Sequence, residues 1–290
     1  MENEREKDRT VAIRGLTVGY RILGNEPPLL LVNGFGSSIE LWQDDLIAIL
    51  SKHYKVIMYD HRGVGMSDIF VKGEDGKDEG FQQAPLRISE MADDAALLLG
   101  ALGIPKAHVL GWSMGGLVAE ELALRHPHVV ARLILYSAHC SDSLHPPTLK
   151  VIEEICDGPH PPDIEDSMRF ICMLFPKDWV ERNSARIRRV FGPPLGNVPV
   201  EVLRSQVKAI ENWEGSCERI DGIRSPTLLI HGELDILTPP GESRRMASLI
   251  PNSRLEIVPG AGHGLMFQEP VLFGNILMDF LSNSRGQFES

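Results

Sequence analysis

A chain of 290 residues that is 43% hydrophobic and 24% charged has the make-up of an ordinary globular protein, which excludes global disorder, collagen-like repeats and a disulfide-stapled miniature. Its 29 Lys+Arg against 40 Asp+Glu leave a net charge of −11, a sign that repels phosphate backbones and anionic membranes, so neither a nucleic-acid nor a membrane partner is expected. Cys140, Cys156, Cys172 and Cys217 form no C-x-x-C pair and the ten histidines are dispersed, a pattern that predicts free thiols, no zinc site and a reducing, cytoplasmic setting.

The opening MENEREKDRT is nearly all charged, reads as a frayed end, and lacks the apolar h-region of a signal peptide. No run approaches the ~18 apolar residues of a membrane span. Val18–Leu23 and Leu29–Val32 read as strands, and their closeness leaves no room for a crossover helix, so an antiparallel edge is expected there. Ile39–Leu50 has helical spacing and Lys55–Asp60 is strand-like. Arg87–Leu102 reads as an amphipathic helix with Ser89 as its cap and Gly103 as its stop. A short strand at His108–Leu110, a helix at Leu117–Arg125 and a strand at Arg132–Tyr136 follow. After an interruption, Thr227–Ile230, Arg244–Ile250, Leu255–Val258 and Pro270–Leu281 resume the alternation.

Strands that alternate with helices imply an α/β fold: a mostly parallel central sheet with helices on both faces. The interruption is rich in proline from Pro146 to Pro194, and its apolar residues recur at helical spacing: Ile152 with Ile155, then Phe170, Met173 and Leu174. Structureless loops of such length are uncommon. The chain thus divides into core residues 1–139, a helical lid at 140–219 and core residues 220–290.

The sharpest motif is Gly111-Trp112-Ser113-Met114-Gly115-Gly116, a G-x-S-x-G placed after a predicted strand and before a predicted helix. A sharp strand-to-helix turn there would expose the serine hydroxyl, and the close approach of strand and helix requires positions without bulk on either side. A serine needs a base. His263, among glycines in Pro259–Gly264, follows the last strand and is predicted to reach the same sheet edge. Asp235, directly after the strand TLLI, fits the order Ser, acid, His; Glu233 and Asp142 compete for that role. The oxyanion donors expected are the backbone N–H groups of Met114 and Phe35, the latter in the Asn33–Gly36 turn. Asp60–Ser67 is glycine-rich but lacks both the phosphate-loop and the dinucleotide spacing, and reads as structural, with Asp60 and Arg62 in a polar network.

NGFGSS, YDHRGVGMSD, GWSMGG, HGELDILTP and GAGHG occur in the order found in α/β-hydrolase-fold serine hydrolases of the esterase, lactonase and cofactor-free perhydrolase type, and the chain resembles that family over nearly its whole core. The resemblance implies a triad of Ser113, Asp235 and His263, an oxyanion hole at Phe35 and Met114, a lid over an acyl pocket, and no metal or organic cofactor. The chain departs from the family at Asn33-Gly34, where His-Gly is common; the backbone donor survives, but the bonds that position the loop must differ.

An esterase-like acyl transfer to Ser113 is therefore the expected activity, on a small and apolar ester or related acyl substrate. Thioester or carbon–carbon hydrolysis and perhydrolysis would use the same groups. Serine rather than aspartate at 113 disfavours haloalkane dehalogenase and epoxide hydrolase chemistry, which resemblance to the fold alone would allow. A receptor that uses the pocket with slow or no turnover is the alternative from another class. Trp112 of the core and Met173, Phe175, Trp179 and Trp213 of the lid are the candidate substrate contacts, and the lid also carries Met168, Phe170 and Phe191. Lys177, Arg182, Arg186, Arg188 and Arg189 read as a solvated basic face. The sequence gives no sign of the oligomeric state.

Overall fold

In the computed structural model, which describes residues 8–69, 71–72, 78–79, 86–141, 150, 152, 156, 164–191 and 198–282, short apolar runs pair into one sheet. Its strands are β1 (Arg9–Ile13), β2 (Leu16–Leu23), β3 (Pro28–Val32), β4 (Lys55–Tyr59), β7 (Ala107–Trp112), β8 (Val130–Tyr136), β9 (Thr227–Gly232) and β10 (Ser253–Val258). A separate two-residue pair, β5 (Val71–Lys72) and β6 (Asp78–Glu79), stands apart. The sheet order is β1-β2-β4-β3-β7-β8-β9-β10. β1–β2 and β2–β4 are antiparallel and every later pairing is parallel. The edge is antiparallel as expected, but β4 inserts between β2 and β3, so the first two predicted strands are not neighbours.

The helices are α1 (Asp44–Leu50), α2 (Ile88–Ala101), α3 (Met114–Arg125), α4 (Ile164–Met173), α5 (Lys177–Phe191), α6 (Val200–Glu211), α7 (Gly241–Leu249), α8 (Leu265–Gln268) and α9 (Pro270–Ser282). They cover both faces because the central strands alternate which face each side chain serves. Leu30, Val32, Val109, Leu133 and Leu229 pack with Leu98 and Leu99 of α2, Val118 and Leu122 of α3 and Met246 of α7. Leu29, Leu31, Leu110, Ile134 and Ile230 pack on the other side with Leu46 of α1 and Phe273 and Leu277 of α9. Strands buried on both faces read as continuous apolar runs, which is why LLLV and TLLI carry no polar alternation.

Several local expectations change. Arg9 and Thr10, within the charged opening, pair with Tyr20 and Gly19, while residues 1–7 lie outside the described set. The predicted helix at Ile39–Leu50 splits into a 3-10 turn at Ile39–Leu41 and α1, because the Ile39 N–H is held by the Asp60 carboxylate and Trp42 and Gln43 are extended. Ser89 does not cap α2; Arg87 occupies that position, without a side-chain cap bond. Gly103 does end it, at φ 69°.

The free-thiol reading holds for Cys156 and Cys172 and fails for the other two: Cys140 and Cys217 form a disulfide across 77 residues of chain. The Cys140 carbonyl accepts from both Ser216 N–H and Cys217 N–H, so backbone pairing brings the thiols together where no sequence spacing would. The reducing compartment loses the support that free thiols gave it, since such bonds persist in oxidising surroundings. Among the described residues no helix is long and apolar enough to cross a membrane.

Candidate active site

At the end of β7 the backbone turns through Ser113 at φ 56° and ψ −122° before α3 begins at Met114. That left-handed conformation is costly for a non-glycine residue and is held in place by its surroundings. The Ser113 N–H donates to the Tyr136 carbonyl at 2.9 Å, and the Ser113 carbonyl accepts from Gly116 N–H at 2.7 Å. A Cβ on Gly115 would stand 2.2 Å from the Val32 carbonyl oxygen, and one on Gly111 would stand 2.3 Å from the Gly115 carbonyl oxygen. The glycines are thus the condition for the helix to start directly behind the serine. Ser113 itself is half-buried, and the N–H of Met114, in the first turn of α3, has no partner within the helix.

The turn after β3 rests on this elbow: a Cβ on Gly34 would lie 3.4 Å from Ser113 Cβ. Its peptide planes are tied one by one. The Asn33 carbonyl accepts from His61 Nε2 at 3.0 Å, the Gly34 carbonyl accepts from Ser37 N–H, and the Phe35 carbonyl accepts from the Ser37 hydroxyl. Asn33 Nδ2 donates to the Tyr59 carbonyl, which supplies the positioning that the Asn33-Gly34 departure left open. Burial pushes the His61 imidazole down to about 4, so it serves as a neutral N–H donor.

Asp235 follows β9 and is buried. Its Oδ1 accepts the backbone N–H groups of Leu237 and Thr238, and its Oδ2 accepts from His263 Nδ1 at 2.8 Å. His231 Nε2 stands 3.1 Å from the same Oδ2. Burial alone would raise this carboxyl, but the charge of His263 and the hydrogen bonds from His231 and His263 outweigh it and hold Asp235 well below the usual carboxylate range. His263 is 2% exposed, its ring lies against Trp112 with centroids 5.9 Å apart, and its carbonyl accepts from the Tyr136 hydroxyl. Among the described residues no hydrogen bond joins the Ser113 hydroxyl to His263; such bonds are often loose until substrate is present. Of the competing acids, Glu233 accepts from Gly260 N–H at an exposed position, and Asp142 lies outside the described residues.

The candidate substrate contacts separate. Trp112 is stacked on Tyr136 beneath the site and Trp213 is buried with its Nε1 donating to Glu121. Met173 is half-buried, and Phe175 stacks on half-buried Trp179 at 4.6 Å. Phe175 also packs on the histidine loop, where a Cβ on Gly264 would lie 2.4 Å from its ring. Of the basic side chains of α5, Lys177, Arg182 and Arg188 are exposed, Arg182 pairing with Asp178; half-buried Arg186 lies over Trp179, and the side chain of Arg189 lies outside the described set. Asp60 and Arg62 belong to separate networks, Asp60 accepting from Ile39 and Met66 N–H and Arg62 pairing with Asp94. Ile155 lies outside the described residues.

Sequence reasoning missed four residues. His231 shares the Asp235 carboxylate, and Tyr136 anchors the His263 backbone. His139, just past β8, is buried against Trp213, and Gln206 of α6 reaches the Asn33–Ser37 turn. Only the first had a signal, as the residue before Gly232 in HGELD.

An eight-stranded, mostly parallel sheet with helices on both faces, bearing a strained strand-to-helix serine and a carboxylate–histidine pair beyond later strands, defines an α/β-hydrolase. The family description for serine aminopeptidase S33 matches residues 26–270, and the chain belongs to that family of α/β-hydrolases. RutD of Pseudomonas savastanoi pv. phaseolicola, which carries the name of a carbamate hydrolase, is 31% identical over 259 residues, covering 88% of this chain and 94% of its own. A hydrolase from Pseudomonas aeruginosa is similar in structure at a TM-score of 0.81 and 26% identity, covering 94% of this chain and 98% of its own. The enol-lactonase of Burkholderia xenovorans follows at 0.77 and 25%, covering 94% and 100%. This chain is a hydrolase, and its relatives imply small-molecule substrates.

Proposed function

We propose that the protein is a serine hydrolase acting on the ester or related acyl bond of a small apolar molecule, with Ser113 as nucleophile, His263 as base and Asp235 as orienting acid. The observation that carries this reading is the buried 2.8 Å contact between His263 Nδ1 and Asp235 Oδ2 beside the strained Ser113 turn. A proton kept on Nδ1 by the carboxylate leaves Nε2 free to take the hydroxyl proton. Ser113 Oγ attacks the carbonyl carbon, and the Phe35 and Met114 N–H groups hold the oxyanion. His263 then protonates the leaving group, and water, deprotonated by the same nitrogen, releases the acid. The residues ask for neither metal nor organic cofactor in these steps.

Residues 140–219 act as a lid in this reading. Support comes from three contacts at the rim: Gly264 N–H donates to the Leu174 carbonyl, Phe175 packs on Gly264, and Gly36 N–H donates to Gln206. Phe175, stacked on Trp179 and packed on Gly264, is the apolar group on the histidine side in this reading, and Trp112 lies against the His263 ring. The RutD names add carbamates to the substrate panel, because a carbamate carbonyl is open to the same attack. The test is turnover of p-nitrophenyl acetate and a p-nitrophenyl carbamate by wild type and Ser113→Ala. Loss of turnover in the variant is expected; retained turnover, or tight ligand binding without any, overturns the assignment.

A further inference from the structure

Gly36 is a left-handed glycine, at φ 61°, one residue after the proposed donor Phe35. A glycine can take up that turn but has no side chain to fix it, so its peptide planes swing freely unless each is tied. The planes at Asn33–Gly34 and Gly34–Phe35 are tied from the same lobe, by His61 Nε2 and Ser37 N–H. The Phe35–Gly36 plane is tied at its carbonyl end by the Ser37 hydroxyl. Its N–H end donates to Gln206 Oε1 at 2.8 Å, across 170 residues of chain. Among the described residues this is the one hydrogen bond to the Asn33–Ser37 turn that comes from α4, α5 or α6.

Gln206 is well placed to act as a fixed post. It is wholly buried, and its helix seats Val202 against the next loop, where a Cβ on Gly63 would lie 2.6 Å from Val202 Cγ2. Just beyond α6, Trp213 and Ser216 donate to Glu121 and Glu120 of α3, the helix that begins at the nucleophile. One helix is therefore fastened at once to the oxyanion turn and to the helix behind Ser113. A buried carboxamide whose Nε2 has no partner among the described residues is costly to keep for packing alone.

We infer that Gln206 is a positioning residue: through its Oε1 it fixes the Phe35–Gly36 plane, the one that adjoins the second oxyanion donor Phe35 N–H across the Phe35 Cα, and so limits how far that N–H can turn. The inference rests on the serine-hydrolase reading above for its kinetic consequence. Its structural part, the tie to Gly36, can be read separately.

The test compares Gln206→Met, which fills the space without the acceptor, with Gln206→Glu, which keeps an acceptor at the same reach. Losing an oxyanion donor outright costs about 10²–10³ in kcat, so a donor left misaimed should cost roughly 10- to 100-fold in Gln206→Met. KM for p-nitrophenyl acetate is expected to stay within about twofold, because the ground-state carbonyl barely uses the donor. The inhibition constant of phenylboronic acid, whose serine adduct is tetrahedral, should rise in step with the loss of kcat/KM. Gln206→Glu should recover most of kcat. A merely structural residue would move Tm and KM and leave the boronate tracking absent, and that pattern overturns the proposal, as does a Gln206→Met kcat within twofold of wild type. Amide exchange at Gly36 in the folded protein, faster in Gln206→Met, reads the tie without activity. If Ser113→Ala retains turnover the hydrolase reading fails, and unchanged Gly36 exchange then overturns the tie as well.

Discussion

Asp235 accepts from the Leu237 and Thr238 N–H groups and from His263 Nδ1, with His231 Nε2, bonded to the Thr238 carbonyl, 3.1 Å from its Oδ2, and its ionised state is the arrangement's resting condition. Asp235→Asn keeps the shape but presents an N–H2 where His263 needs an acceptor, which favours the wrong tautomer. A fall in kcat of about 10⁴ is expected, by the effect of the same change in a serine protease triad. His61 offers a pH test. Folded, it stays neutral until about pH 4; unfolded, it titrates near 6.5. The unfolded chain therefore binds the extra proton between those values, and stability must fall as pH drops from about 6.5 toward 4, by on the order of 3 kcal/mol at the acid end. Denaturant midpoints at pH 7, 5.5 and 4.5 should show this slope, and His61→Gln should lessen it, leaving the share of His108, which burial also pushes down to about 4, and of buried His139. An equally steep slope in the variant would assign it to other groups.

The contact between α3 and the β3–β7 strands is decided by glycine. Gly115→Ala would drive a methyl into the Val32 carbonyl, whose backbone cannot give way, and overpacking of this kind costs about 1–3 kcal/mol or more. The variant should melt lower and turn over more slowly, since Met114 N–H moves with the helix start. Gly100, in the last turn of α2, has nothing within 4 Å of where its Cβ would stand. Gly100→Ala is expected to hold or raise stability by up to about 1 kcal/mol, from helix propensity alone. Thermal denaturation of the pair separates steric need from mere presence of glycine.

For the molecule as a whole, the Cys140–Cys217 bond closes the 77-residue excursion at its base, between the end of the β8 strand and the return toward β9. A loop of that length constrains the unfolded chain by about 4 kcal/mol in the chain-entropy account. Cys217→Ser should therefore lower the denaturation midpoint markedly and raise the thiols titrated in denaturant from two to three. Four thiols in the wild type, falling to three in the variant with an unchanged midpoint, would mean the bond does not form in solution.

The alternation of apolar runs with helical spacing was enough to read an α/β sheet, and G-x-S-x-G, HGELD and GAGHG marked Ser113, Asp235 and His263, because strand burial and tight turns leave their mark on adjacent residues. Those signals are local. The insertion of β4 between β2 and β3, the disulfide, the shared hold of His231 on Asp235 and the reach of Gln206 to Gly36 join residues with no common local pattern. Such pairings are chosen by the packing of whole elements against one another. Burial on two faces of a strand is written in its own residues, whereas a hydrogen bond across 170 residues exists only once the sheet has closed and α6 has come to rest on its rim.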